Sequence, residues 1–180
     1  MEVQKTEIEG LLVIRPRVFE DSRGYFFESY NEQLFREAGV DTHFVQDNQS
    51  RSSYGVIRGL HMQKEPHVQA KLLRVLEGAI FDVAVDLRKG SATYGKWYGL
   101  EITSANHMQL LIPAGFCHGF SVLSEKATVL YKCDAFYHPG SEAGIRYNDP
   151  ELAIDWRIPA ANVSVSEKDS KLPYLKDFNH

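Results

Sequence analysis

The segment from Ile57 to Gly78, IRGLHMQKEPHVQAKLLRVLEG, sets Arg58, His61, Gln63, His67, Gln69, Lys71 and Arg74 among apolar residues that read as strands. Polar groups buried without partners are costly. These strands therefore either face water or line a cavity that handles a polar ligand. His61 is suited to proton transfer, because an imidazole titrates at about pH 6.5. It follows closely on Gly59, which permits close backbone approach, and lies two residues from Gln63. A structural histidine is the plain alternative. Lys71 offers a positive charge, or snorkels to a rim. His67, behind Pro66 in KEPH, reads as a surface residue.

The elements that must position these groups are short and apolar: LLVIRPRVF, GYFFESY, KLLRVL, AIFDVAVDL, WYGLEI, MQLLIP, GFSVL and TVLYKCDAFY. EDSRG, EGA, RKGSA, TSANH and YHPGS separate them. Many short strands at this spacing predict an all-β sandwich or barrel. NEQLFREAG reads as one short helix, with Asn31 placed to cap its start and Gly39 its end. No repeat, low-complexity tract or linker divides residues 1–180, so a single domain is expected.

Successive side chains of a strand point to opposite faces. Gln69 and Lys71 then share a face with Leu73 and Val75, while Leu72, Arg74 and Leu76 take the other. His118 lies with Phe116, Phe120 and Val122, and Tyr131 with Val129 and Cys133. If these faces line a small barrel, Lys71, His118 and Tyr131 converge in an apolar pocket, the usual form of a ligand site. Each has a structural alternative. A buried Tyr commonly packs while bonding a carbonyl. Ser166 to Asp169 has the spacing of a helix start, with Ser as cap. Arg23 and Arg58 are surface cations unless the ligand carries phosphate, and QDNQSRS reads as a turn.

The bulk properties narrow the classes. The chain has 180 residues, 43% of them hydrophobic and 24% charged, which suits one soluble domain with a sizeable core. A net charge of -4 argues against a nucleic-acid binder, though a local basic pocket can still take a small anion. Cys117 and Cys133 form neither a close metal pair nor a disulfide framework, so a reducing compartment is expected. MEVQKTEIEGLLVIRP lacks the form of a signal peptide, and no apolar stretch approaches the roughly 18 residues of a membrane span. The cytoplasm is the expected location.

PAGFCHGF resembles the second motif of the cupin barrels, P-x-G-x-x-H. The first cupin motif requires His-x-His and a following carboxylate, whereas this chain has His67-Val68-Gln69 and then Leu73 and Arg74. With Lys71 nearby, that is a poor site for a divalent cation. A barrel without a catalytic metal is expected.

Seven segments in register extend the resemblance over nearly the whole chain: VFEDSRGYFFESYN, FVQDNQS, GVIRGLHMQ, QAKLLRVLEGAIFDVAVDLRKGSATYGKW, LLIPAGFCHGFSVLSE, LYKCDAFYHPGSE and SEKD. Together they resemble the dTDP-4-dehydrorhamnose 3,5-epimerase family, a metal-free branch of the cupins. The resemblance implies an all-β cupin-type jelly roll with a few short peripheral helices, no cofactor, and a nucleotide-linked 4-keto-6-deoxyhexose as substrate. It also implies a homodimer in which Arg23 and Glu28 reach the partner's site. His61 is the expected general base, Asp169 its orienting partner, Tyr131 the general acid, and Lys71 the group beside the keto oxygen. The resemblance places Arg23, Glu28, Gln46, Asp47, Asn48, Arg58, His118, Glu142 and Lys168 around nucleotide and sugar, with Tyr137 stacked on thymine. Met62 and Ala70 depart from the family's usual aromatic and Gly, which bears on fine substrate preference.

The residue types suit that chemistry. A C4 carbonyl acidifies the hydrogens on both neighbouring carbons, so inversion at C3 and C5 needs a base, an opposed acid and a stabiliser at the oxygen. Imidazole backed by carboxylate, phenol and ammonium fill these roles. Arginines suit a diphosphate, and an aromatic face suits a pyrimidine. The rival readings are inversion at one carbon only, sugar-nucleotide binding without catalysis, and a metal-dependent cupin oxygenase.

Overall fold

The computed structural model describes residues 1–179; His180, the last residue of the expected domain, lies outside them. In chain order the strands are β1 (Glu2–Lys5), β2 (Leu12–Arg15), β3 (Phe19–Asp21), β4 (Gly24–Phe26), β5 (Gln46–Ser53), β6 (Val56–Gln63) and β7 (Lys71–Glu77). There follow β8 (Ala79–Asp86), β9 (Trp97–Thr103), β10 (Gln109–Ile112), β11 (Phe116–Val122), β12 (Lys126–Cys133), β13 (Glu142–Gly144) and β14 (Ser164–Val165). Two short α-helices accompany them, α1 (Glu32–Glu37) and α2 (Glu167–Ser170).

Twelve of the strands form two facing sheets, while β3 and β4 pair separately as a hairpin. The first has the order β1-β2-β10-β7-β12-β5, and the second β13-β6-β11-β8-β9 with β14 added in parallel to β6. Between them lies the main core, with Val13, Leu73, Val75, Leu110 and Val129 from the first sheet and Ile80, Ala84, Phe116, Phe120 and Val122 from the second. The alternation read from the sequence holds: Leu73 and Val75 point inward, while Leu72 packs outside against Phe35 and Val40 near α1. Strand β8 is buried along nearly its whole length because Phe81, Val83 and Val85 are covered in turn by Ile145, Leu152 and Trp156 of the C-terminal segment. That double burial explains its unbroken apolar run. This is the cupin-like β fold expected above.

Local chemistry fixes the helices as read. The Asn31 side chain accepts from the Leu34 N–H, and Gly39 follows the last turn at φ +85°. One expectation fails. QDNQSRS is not a turn but most of β5, paired residue by residue with β12 from Gln46↔Cys133 to Ser53↔Lys126.

Candidate active site

The site opens between the inner faces of the two sheets, at the end where β6, β7, β11 and β12 carry their polar residues. His61 and His118 come from the second sheet, where they are direct partners across the β6–β11 ladder. Lys71 and Tyr131 come from the first, on adjacent strands β7 and β12. Glycine makes the β6–β11 approach feasible. Gly59 lies at φ +116°, and a Cβ there would stand 2.6 Å from both Gly119 Cα and the His118 carbonyl oxygen. Gly119, facing it, has no side chain to obstruct.

His61 Nε2 lies 2.7 Å from Asp169 Oδ1, and the other carboxylate oxygen accepts from the Gly59 N–H at 3.2 Å. Asp169 sits in α2, whose start is capped by the Ser166 hydroxyl accepting from the Asp169 N–H. The cap reading of SEKD is thus correct for the backbone, while the carboxylate serves His61. Burial pushes the Asp169 carboxyl up. Hydrogen bonding and charge from His61, with the Gly59 N–H and Ser166, outweigh this and hold it below the usual carboxylate value. The Asp169 side chain is 6% exposed and that of His61 32%. With Nε2 committed to Asp169, Nδ1 has no hydrogen-bond partner among the described residues and is left to accept a proton.

The half-buried Tyr131 hydroxyl and the Lys71 ammonium likewise have no hydrogen-bond partner among the described residues. Burial pushes the Tyr131 phenol up, with Cys133 adding to the effect and Arg58 opposing it, so the phenol keeps its proton. Burial pushes Lys71 down, against Cys133, Cys117, Asp82 and Glu142. Its Nζ lies 5.8 Å from the centre of the Tyr131 ring. A cation without a counter-ion in a cleft is poised for negative charge that develops on a bound molecule.

Two adjoining cavities meet at His61, Lys71 and Tyr131. One, about 470 Å³, is also lined by Arg58, His118, Lys168 and Asp169. The other, about 250 Å³, is lined by Gln46, Asn48, Gln69, Tyr137 and Glu142. Arg58 is steadied by its Nε donating to Ser52 Oγ at 2.8 Å. Tyr137 donates to Glu142 Oε2 at 3.0 Å, and Lys168 donates to the same oxygen at 2.6 Å. Burial pushes Glu142 up, but those two donors outweigh it and hold the carboxyl below its usual value.

Several expected site residues are not brought to this cleft within one chain. Arg23 is 87% exposed on the β3–β4 hairpin and pairs with Asp21, so it does not face the pocket. Glu28 is exposed and accepts from Asn31. Asp47 points away between the inward Gln46 and Asn48, and binds Lys132 at 2.9 Å. Three groups of the opening segment also serve elsewhere. Arg74 stands on the outer face near Phe27, and Gln63 ties the backbones of His67, Phe136 and His138 together. His67 is half-buried, not free on the surface, and stacks on His138 at 3.8 Å. Sequence reasoning passed over Asp82, which lies 2.7 Å from His118 Nε2. Its one signal was a charge at an inward position of the apolar β8. Among the described residues, no group of three or more His, Cys, Asp or Glu gathers to hold a metal ion.

A cupin-type barrel with an imidazole–carboxylate pair, a phenol and a lysine around one cleft is a scaffold for acid–base chemistry on a polar ligand. The chain belongs to the dTDP-4-dehydrorhamnose 3,5-epimerase family, whose model matches residues 5–177. The dTDP-4-dehydrorhamnose 3,5-epimerase of Methanothermobacter thermautotrophicus is 48% identical over 174 residues, covering 96% of this chain and 94% of its own. The crystal structure of the enzyme of that name from Elizabethkingia anophelis is 54% identical, covers 100% of this chain and 99% of its own, and superposes with a TM-score of 0.95. A Legionella pneumophila dTDP-6-deoxy-D-glucose-3,5-epimerase, crystallised with dTDP-4-keto-L-rhamnose, is 46% identical with a TM-score of 0.94. It covers 99% of this chain and 94% of its own.

Proposed function

We propose that this protein is an isomerase that inverts C3 and C5 of dTDP-4-dehydro-6-deoxy-D-glucose, giving dTDP-4-dehydro-L-rhamnose. The observation that carries the reading is the 2.7 Å pairing of His61 Nε2 with buried Asp169, which leaves Nδ1 free in a cleft shared with Tyr131 and Lys71. His61 removes the hydrogen from the carbon beside the ketone, and Asp169 stabilises the imidazolium that results. Lys71 takes up the enolate charge on the C4 oxygen. Tyr131 returns a proton from the other side, the carbon is inverted, and before the next inversion His61 gives up its proton and Tyr131 regains one by exchange with water. Both carbons flank the same carbonyl, so one constellation serves both, and hydrogen moves only as a proton.

The rest of the cleft fits the nucleotide. Arg58 and Lys168 meet the diphosphate, His118 and Glu142 the sugar, and Gln46 and Asn48 the base, on which Tyr137 stacks. The protein acts in the cytoplasm as one domain and as a homodimer, and the exposed hairpin with Arg23, together with Glu28 and the Asp47 region, serves the partner's cleft. Among the described residues no helix is long and apolar enough to cross a membrane.

Proton NMR of the substrate with enzyme in deuterated water tests the reading. Deuterium is expected at both C3 and C5, and His61→Asn abolishes it. Failure of exchange at either carbon refutes the double inversion.

A further inference from the structure

A second imidazole–carboxylate pair lies in the cleft, and the proton transfers above do not use it. His118 stands on β11 opposite His61, and both side chains leave the sheet on its inner face. Its Nε2 lies 2.7 Å from Asp82 Oδ1, with the two side chains 7% and 0% exposed. Asp82 occupies an inward position of β8 between Ile80 and Ala84, both in the main core. Its second oxygen, Oδ2, is buried with no hydrogen-bond partner among the described residues. A buried carboxylate with a bare oxygen costs stability. Apolar replacement of both members of such a buried pair is often neutral or stabilising. A group that weakens the core at the floor of a ligand cleft has its use in the ligand.

We infer that Asp82 is a positioning residue that holds the Nε2–H of His118 and so presents its bare Nδ1 to the cleft as a fixed acceptor for a hydroxyl of the sugar ring. A neutral imidazole that donates from one nitrogen accepts at the other. Acceptors are few in the cleft, because Glu142 Oε2 already takes Tyr137 and Lys168. Lys71, Arg58 and Lys168 bring only donors. Both oxygens of Asp169 are engaged, by His61 and by the Gly59 N–H. His61 Nδ1 is reserved for the proton on carbon. A sugar hydroxyl that donates to His118 would be held beside the reacting carbons, so Asp82 sets which sugars fit without touching them.

The inference rests on the epimerase reading for the ligand, but not for the state of the ring. Long-range nitrogen–proton NMR of the free, histidine-labelled protein is expected to find His118 protonated at Nε2 and bare at Nδ1. A ring protonated at Nδ1, alone or with Nε2, overturns the inference whatever the enzyme turns over. Asp82→Leu, which leaves the Nε2–H without an acceptor, is then expected to lower kcat/KM for deuterium incorporation by roughly 5- to 100-fold, the scale of one lost hydrogen bond, whereas Asp82→Asn, whose amide oxygen can still accept from Nε2–H, is expected to keep most of the activity. His118→Asn combined with Asp82→Leu is expected to be no slower than His118→Asn alone, because both remove the same contact. Additive losses in the double variant, or a lower Tm with turnover per folded molecule unchanged, would assign Asp82 to structure alone. If the parental protein incorporates no deuterium, the epimerase reading fails, and the NMR spectrum alone decides the tautomer.

Discussion

Replacing Asp169 by Asn removes the charge behind His61 while nearly keeping the shape of the side chain. The side chain keeps its size, the Ser166 hydroxyl still caps α2 through the backbone, and an amide oxygen can still accept from Gly59. The counter-charge for the imidazolium is lost, and the amide nitrogen now facing Nε2 favours the tautomer that carries its proton on Nδ1. Two unit charges with centres about 4 Å apart interact by about 4 kcal/mol at an effective dielectric of about 20. His61 is 32% exposed, so solvent screens part of this. A loss of about 2–3 kcal/mol in the transition state from the charge alone corresponds to a fall in kcat of roughly 30- to 150-fold, and the tautomer change deepens it. The assay is deuterium incorporation at C3 and C5 under single-turnover conditions, with a thermal melt to confirm the fold. A rate within about threefold of the parent, worth less than about 0.7 kcal/mol, would show that Asp169 is only part of a helix cap. A pH series adds a second arm. The folded carboxyl lies below its unfolded value of 3.8, so its contribution to stability is complete above 3.8 and is lost as pH falls through the folded value. Asp169→Asn has no such contribution to lose. The Tm gap between the two proteins must therefore narrow below pH 3.8.

Three further substitutions probe the rest of the site. Tyr131→Phe removes the acid but not the base: inverted product should fall by about 10²- to 10⁴-fold while deuterium still enters with retention, and undiminished inversion would exclude the phenol as acid. Lys71→Met should lower kcat by about 10²- to 10³-fold. It should also hold or raise Tm at neutral pH, because an amine whose folded value is depressed costs stability below that value. The penalty fades as pH rises toward 10.5, and a lower Tm for Lys71→Met at pH 7 would contradict this. Gly59→Ala places a methyl 2.6 Å from the His118 carbonyl oxygen at a left-handed φ. It should cost about 2 kcal/mol or more, and an unchanged melt would refute the close approach of β6 and β11.

What the sequence could reveal was set by how far each residue's partner lies along the chain. The inward faces of β7, β11 and β12 were legible because a period of two is local, and α1 because Asn31 and Gly39 mark its ends. Strand β5 was not. QDNQSRS is polar on both faces, one turned to the cleft and the other to solvent, so no apolar alternation marks it as a strand. Asp169 shows only its cap spacing locally, while its functional partner lies 108 residues away. Arg23 and Asp47 have the right type for a nucleotide site, yet within this chain both turn to nearby opposite charges. Asp82 was hidden by its neighbours: in AIFDVAVDL seven apolar residues outweigh the inward charge of Asp82.

The sheet from which each group comes bears on the stereochemistry. Inversion at carbon requires that the proton leave one face of the ring and return to the other, so base and acid must be held apart by a bound molecule. His61 belongs to the second sheet, while Tyr131 and Lys71 belong to the first. Packed sheets stand about 10 Å apart, and side chains reaching inward from both leave a slot about as thick as a sugar ring. Were base and acid neighbours on one sheet, both would address the same face and the proton would return with retention. In the proposed reaction the barrel therefore does more than exclude water: by dividing the pair between its walls it makes inversion the natural outcome of a ketone bound in the slot.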